Sequence, residues 1–289
     1  MGPLIIGRLP EDNNIGGVGI FVSRLLSSSI YLNSNAYTFH STRKLLLLRL
    51  VKDIYNSSFV HFNGSNPKAM FLVALLCRLL NKKLILSIHG EVGLYTGLVN
   101  KLEKYAIKIS HTPVVGRGSE AAAKSLNSRT EIATAFIPPE IVRDLYIDKI
   151  LQSLPEKKIF CTNANSFSFD SHGREIYGIT KLVDYFENQG EYILIVVDCS
   201  GAYSNYFKSQ NLKNVIIVNE DVNYCYLIQN SQGSIRFTST DGDSVSVMES
   251  LYFGVPVIAT DCIVRPGICI LCQYEDISSL TKAIEQVEI

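Results

Sequence analysis

No apolar run in this 289-residue chain is long enough to cross a bilayer. The longest, Ala69 to Leu80, carries Arg78, whereas a spanning helix needs about 20 apolar residues. The opening residues lack the charged, apolar and small-residue succession of a secretory signal, since Met1 to Ile6 runs straight into Arg8, Glu11 and Asp12. Net charge is absent too, with 27 Lys and Arg against 27 Asp and Glu. Cys269 and Cys272 form a Cys-x-x-Cys with no second pair to complete a metal site, so they read as buried core. The chain has no internal repeat and no low-complexity tract. Its seven cysteines, an odd number scattered among apolar residues, point to a reducing compartment. The expected location is therefore cytoplasmic.

What is present is enough apolar material for two cores. Hydrophobic residues make up 47% of the chain and charged residues 19%, the balance of an ordinary globular protein. The length suits two domains, expected at 1–145 and 146–289. The zero net charge hides a division between these halves. Residues 1–145 hold 17 Lys and Arg against 9 Asp and Glu, and residues 146–289 hold 10 against 18. A basic first half is expected to meet something anionic, either a membrane surface or a phosphorylated acceptor. Thr42 to Ile54 adds an apolar stripe of Leu46, Leu47, Leu50, Val51 and Ile54 at helical spacing. It reads as a helix covering a sheet, with a membrane-surface helix as the alternative.

Apolar strand-like runs alternate with helical patterns almost throughout. Strands are predicted near 4–6, 36–39, 59–62, 83–88, 112–115 and 132–137, and again near 158–162, 192–197, 215–218, 234–238 and 255–259. Pro138-Pro139 interrupts the two series. Such alternation predicts an α/β fold of parallel sheets covered on both faces. Ligands of these sheets bind beyond the carboxyl ends of the strands.

The most informative segment runs from Thr238 to Asp261. It reads as a polar loop, a helix, a stop at Gly254 and a buried strand over Val255–Ala259. A helix N-terminus opening from such a loop offers backbone N–H groups to an anion such as a diphosphate. Asp241 and Glu249 lie eight residues apart, just over two helical turns, so both can face one cleft. Carboxylates beside a phosphate site are suited to sugar hydroxyls rather than to the phosphate.

This segment resembles the signature of the retaining GT-B glycosyltransferases, the group that includes glycogen synthases and bacterial polysaccharide transferases. Asp241 stands where the first of two acids eight apart is usually glutamate, and Glu249 matches the second. Gly254, Pro256, Val257 and Ile258 match the strand that follows. The resemblance implies two Rossmann-like domains facing a cleft, with the nucleotide sugar held by the C-terminal one. It assigns the ribose to Glu249, the sugar hydroxyls to Asp241, and the diphosphate or sugar to the amides of Gly242, Asp243, Ser244 and Val245.

Three further loops contribute candidates. Asn14-Ile-Gly-Gly-Val-Gly19 fails the dinucleotide spacing because residue 22 is Val. By resemblance its Gly16 and Gly17 sit near the donor, and a plain tight turn is the alternative. His89 ends a strand and is expected to contact the transferred sugar or the acceptor, or else to cap the next turn, with His61 in reserve. The loop 162–179 departs from the pattern, since Asn163 or Ala164 and Tyr177 stand where the family carries an arginine and a lysine for the diphosphate. Arg174 is the nearest cation in that loop, and Arg236 lies one strand away. A loss of those cations would cost several kcal/mol of barrier unless something replaced them. Asp241-Gly-Asp243 also resembles an Asp-x-Asp metal clamp, but Asp243 at a helix N-terminus is favourable without a metal.

These observations predict a retaining, metal-independent hexosyl transferase with no cofactor beyond its nucleotide-sugar co-substrate. The acceptor is expected to be a saccharide, free or lipid-diphosphate-linked as in cell-envelope polysaccharide assembly. Contact with the inner face of the plasma membrane would be peripheral, and no nucleic-acid partner is expected. No residue pair stands out as nucleophile and acid/base; resemblance implies that the leaving diphosphate helps to deprotonate the acceptor. The missing loop cations, with a C-terminus shorter than the family's, motivate a non-catalytic scaffold as the second reading. A nucleotide-sugar epimerase is a third, disfavoured for want of acid/base residues.

Overall fold

A computed structural model describes residues 2–9, 17–28, 37–42, 46–134 and 136–287. Contacts divide the described chain into two compact units, the first ending at Ile137 and the second starting at Pro138. The division falls at the Pro138-Pro139 pair; a boundary at 145/146 would instead cut a helix after its first residue.

The first unit alternates β1 (Leu4–Gly7), α1 (Gly17–Ser27), β2 (Thr38–Ser41), α2 (Leu47–Tyr55), β3 (Val60–Gly64), α3 (Pro67–Leu79), β4 (Leu84–Ile88), α4 (Gly97–Ile109), β5 (Thr112–Val115), α5 (Glu120–Leu126) and β6 (Glu131–Ile132). Its six-stranded sheet has the order β2-β1-β3-β4-β5-β6, and every described pairing is parallel. Strand order reverses between β1 and β3, the kind of switch point beside which open α/β sheets bind ligands. Successive strand residues point to opposite faces, so both faces carry a core. Leu4, Ile6, Phe62 and Leu86 pack with the α2–α5 side, while Ile5 packs with Val22, Leu25 and Leu26 of α1. Asn66 caps α3 by accepting from the Lys68 and Ala69 amides, with Pro67 at the first helical position where its missing N–H costs nothing.

Two sequence expectations change here. The strand expected over 132–137 is only the pair Glu131–Ile132, because the chain leaves β5 after two residues of pairing. The stripe on α2 is half used, since Leu50 and Ile54 are fully buried while Leu46 and Leu47 are more than half exposed.

The second unit contains α6 (Leu145–Ser153), β7 (Lys158–Ala164), α7 (Ile179–Glu187), β8 (Tyr192–Asp198), α8 (Ala202–Tyr206), β9 (Val215–Val218), α9 (Tyr224–Gln229), β10 (Gly233–Arg236), α10 (Val245–Tyr252), β11 (Val257–Thr260), β12 (Ile270–Cys272) and α11 (Ile277–Val287). Its sheet runs β12-β11-β10-β7-β8-β9, again parallel, with its switch point between β7 and β10. β8 is buried at all seven positions, as a central strand covered on both faces must be. The loops that leave β7 and β10 at the switch point are two of those that the sequence singles out.

Candidate functional site

The loop after β7 is tied to the end of β10. Ser239 N donates to Ile176 O at 2.9 Å. Gly178 has φ +57°, and a Cβ there would lie 2.6 Å from Phe237 O, so only glycine lets the loop approach β10 this closely. The N-terminus of α7 that follows is already occupied. Buried Glu175 accepts from Ile179 N at 2.7 Å, from Thr180 N and Thr180 Oγ1, and from the buried Tyr203 hydroxyl at 2.7 Å. An external anion would therefore meet a carboxylate at this helix end.

The N-terminus of α10 differs. Ser244, at the N-cap, makes no capping bond to the helix, and its hydroxyl lies 3.0 Å from Ser246 Oγ. The helix dipole and the first-turn amides there carry no carboxylate plug from the N-cap side chain. The helix begins at Val245, so Asp241 lies in the preceding loop rather than two turns along one helix. Glu249, on the helix itself, is 4% exposed.

Asp241 is the centre of a buried ion cluster. Its Oδ2 accepts from Arg236 Nε at 2.9 Å and Arg265 Nη1 at 2.8 Å, and its Oδ1 from Arg236 Nη2 at 2.7 Å and Gly242 N at 3.0 Å. Four donors fill the roughly four lone-pair positions a carboxylate offers. The sequence reading gave Asp241 to sugar hydroxyls; in the structure its acceptor capacity goes to protein donors, and the Gly242 amide is spent on it as well. Burial pushes the Asp241 carboxyl up, but Arg236 and Arg265 outweigh it and hold it below the ordinary range. Burial likewise opposes the charge on Arg236, and Asp241 more than restores it.

Tyr177 sits where the resemblance places a lysine, and its ring lies 5.1 Å below the Arg236 guanidinium. This separation suits a cation–π contact. Arg265 is held further by Thr260 O at 3.0 Å, with a side chain only 2% exposed. Tyr224 is partly buried nearby, its hydroxyl pushed up by burial, Cys161 and then Glu249. Two further cations, Arg236 and Arg265, thus stand on β10 and after β11, both paired with Asp241. Arg236 was a secondary candidate from sequence. Arg265, 24 residues beyond Asp241, was missed, because nothing local in Val264-Arg265-Pro266 marks it.

Arg174 is placed differently. It belongs to a tight turn in which Asp170 Oδ2 accepts from its Nε at 2.9 Å and Asp170 Oδ1 from its backbone N at 3.0 Å. Its side chain is 40% exposed, with the guanidinium 5.9 Å from the Tyr274 ring centroid.

In the first unit, Gly17 opens α1, and Gly16 lies outside the described residues. His89 directly follows β4, its ring 4.8 Å from Phe21, and burial pushes its pKa down to about 4. His61 lies within β3 rather than at its end. Its Nε2 is 2.9 Å from Ser87 Oγ, and burial followed by His89 lowers it also to about 4. Both imidazoles are neutral at pH 7. Among the described residues no group of three or more His, Cys, Asp or Glu is placed to hold a metal. No described helix is long and apolar enough to cross a membrane.

No family model matches the chain, and no curated protein sequence does. Solved structures do. An Anabaena protein, Alr3699/HepE, described in complex with UDP, matches with TM-score 0.72 at 12% identity over 99% of this chain and 89% of its own. Sucrose-phosphate synthase from Thermosynechococcus elongatus matches with TM-score 0.68 at 14% identity, over 100% and 90% of the two chains. The UDP-GlcNAc 2-epimerase of Methanocaldococcus jannaschii matches with TM-score 0.58 at 10% identity, over 98% and 91%. These likenesses show that the chain has the GT-B fold.

Proposed function

We propose that this chain is a glycosyltransferase that moves a hexosyl group from a nucleoside diphosphate sugar to a saccharide acceptor with retention at the anomeric carbon. One observation carries the reading. At the switch point of the second sheet, a helix N-terminus without an N-cap side-chain bond adjoins a buried cluster of two arginines on one aspartate. Counted by itself, this cluster of two guanidinium groups and one carboxylate carries one net positive charge, on a fold whose solved members include proteins that bind UDP and UDP-glucose.

The amides of Asp243, Ser244 and Val245 receive the diphosphate, and Glu249 accepts hydrogen bonds from the ribose hydroxyls. Arg236 and Arg265 meet the charge that builds on the departing diphosphate, with Arg174 as a further cation from the β7 loop. Asp241 acts as their positioning residue. Gly17 is assigned to the donor by resemblance, and His89 to a sugar. As the bond from the anomeric carbon to the diphosphate oxygen breaks, the acceptor oxygen bonds that carbon, and its proton passes to the leaving phosphate. No metal is needed if the arginines neutralise the diphosphate, so transfer should persist in EDTA; loss of activity restored by manganese would reassign Asp241 and Asp243 as ligands. The exposed leucines of α2, flanked by Arg49 and Lys52, support peripheral contact with an anionic membrane and a lipid-linked acceptor. Binding to vesicles containing phosphatidylglycerol, lost on Leu47→Glu and Leu48→Glu, tests that contact.

Calorimetry against UDP, GDP and their glucose and mannose conjugates is the deciding experiment. Micromolar binding of a diphosphate, at least tenfold weaker for the matching monophosphate, is expected. Binding without turnover over a broad acceptor panel would favour the non-catalytic scaffold, which the full saturation of Asp241 by protein donors also favours. No binding of any nucleotide would overturn the transferase reading.

A further inference from the structure

The first unit carries a second polar site with opposite character. In β3 and β4, His61 pairs opposite Ile85 and Asn63 opposite Ser87. Paired and alternate strand residues share a face, so His61, Asn63 and Ser87 project together, and His89 follows two residues beyond Ser87. α1 covers this face. Phe21 packs on the His89 ring, and Val22 approaches Gly7 so closely that a Cβ there would lie 2.9 Å from Val22 Cγ2 and 3.6 Å from Asn63 Cβ. Gly7 and Asn63 belong to β1 and β3, the two strands between which the order of this sheet reverses.

Three atoms in this patch are buried without a hydrogen-bond partner: Asn63 Oδ1, Asn63 Nδ2 and His89 Nε2. Folded proteins leave few such groups, because each loses its bonds to water and gains none in return. A carboxamide unsatisfied at both ends, in a side chain 1% exposed, is not a packing residue. It is a donor and acceptor pair held ready for something. Among the described residues, the side chains named in this patch include no carboxylate and no permanent cation, and its imidazoles are neutral at pH 7. It offers an anion no charge. A neutral hydroxyl-bearing ligand, whose groups each donate and accept, matches an amide beside a neutral imidazole.

We propose that Asn63, with His89 beside it, forms a subsite for the hydroxyls of a pyranose, and that the Asn63 carboxamide selects among sugars. His61 and Ser87 hold the patch in place through their mutual hydrogen bond. The proposal rests on the transferase reading, and the sugar is either the donor's or the acceptor's.

The test separates these sources, and it separates a ligand role from a structural one. Asn63→Val and Asn63→Ala remove both unsatisfied atoms, and valine suits a strand. If Asn63 waits for a ligand, at least one variant melts no lower than the unmodified protein. If the amide is structural, both melt several degrees lower, and the proposal is overturned. Calorimetry with UDP and GDP, and with UDP-glucose and GDP-mannose, then reads the sugar contribution. Unchanged nucleotide affinity with at least tenfold weaker nucleotide-sugar affinity assigns the subsite to the donor sugar. Unchanged nucleotide-sugar affinity with an acceptor KM raised at least tenfold assigns it to the acceptor. Unaltered affinities and unaltered KM overturn the proposal. If the unmodified protein binds no nucleotide, the transferase reading fails, and the melting comparison decides the role of Asn63 by itself.

Discussion

The two candidate sites solve the burial of polar groups in opposite ways. In the second unit, Arg236, Arg265 and Asp241 are charged and mutually paired, with every acceptor position of the carboxylate filled. In the first, Asn63 and His89 are neutral and lack partners at three buried atoms. The charged cluster maintains its own geometry with nothing bound, and its net charge remains for an anion. The neutral patch is costly as it stands and gains most when a hydroxyl-bearing ligand arrives. A paired site is therefore expected to fail when a partner is removed, and an unpaired site to tolerate removal and lose only function.

Breaking the charged cluster gives the largest effect. Asp241→Asn strands two buried guanidinium groups, and losing one partner of a buried ion cluster costs about 3–5 kcal/mol. Urea unfolding should show this loss even if the chain has no activity at all. A variant as stable as the parent would mean that water already screens the cluster. Arg236→Ala should also lower any turnover by roughly 10²–10³, the scale for removing one preorganised charge-stabilising group.

The pH dependence of stability sharpens the contrast. His61 and His89 titrate near 6.5 when unfolded and at about 4 when folded. Between these values the unfolded state binds more protons, so stability is complete above about pH 6.5 and falls as pH drops toward 4. At 1.36 kcal/mol per pKa unit the two together can account for several kcal/mol. Asp241 has a lowered pKa, so its contribution is present above the ordinary carboxylate range and is lost only at lower pH. Hydrogen exchange followed from pH 7 to 4.5 should loosen β3 and β4 while β10 stays protected. His61→Gln with His89→Gln should flatten that slope. Parallel loosening of both units would remove the distinction.

Much of this was legible in the sequence, and the part that was not has a physical cause. Apolar runs marked most strands to within a residue or two, because buried parallel strands need unbroken hydrophobic stretches. The Thr238–Asp261 segment was read as loop, helix and strand, as found. The environment of Asp241 was not readable. Eight-residue spacing to Glu249 suggested one shared face, but a helix starting at Val245 leaves Asp241 in a loop whose direction is fixed by Arg236 and Arg265. Arg265 reaches it only because β11 pairs beside β10. Asn63 carries no local signal in the sequence, since an unsatisfied amide becomes visible only once its neighbours are placed.

Glu249→Gln is expected to have a moderate effect. Its carboxylate is buried on α10, and hydrogen bonds to a charged group are worth about 1.5–3 kcal/mol. Nucleotide affinity measured by calorimetry should fall by the corresponding factor. An unchanged affinity with an unchanged melting temperature would remove the ribose assignment.

The smallest effect on stability is expected at Arg174, and it bears on the whole comparison. Sequence reading makes Arg174 the cation nearest the diphosphate, whereas Arg236 is the one built into a buried cluster. Arg174 is 40% exposed and pairs with Asp170, four residues away in its own turn. Asp170 is only 7% exposed, but the arginine side is open to solvent, so Arg174→Ala should cost no more than about 1 kcal/mol and barely move the unfolding midpoint. Asp170 would also keep its bonds from the backbone amides of His172 and residue 174, which survive the substitution. Any effect of Arg174→Ala must then appear in turnover, through charge that matters only as the diphosphate departs. A turnover loss smaller than that of Arg236→Ala places the main neutralising charge in the buried cluster. A loss of 10²–10³ at Arg174, with Arg236→Ala active, would return that role to the loop and leave the arginine cluster as a structural brace.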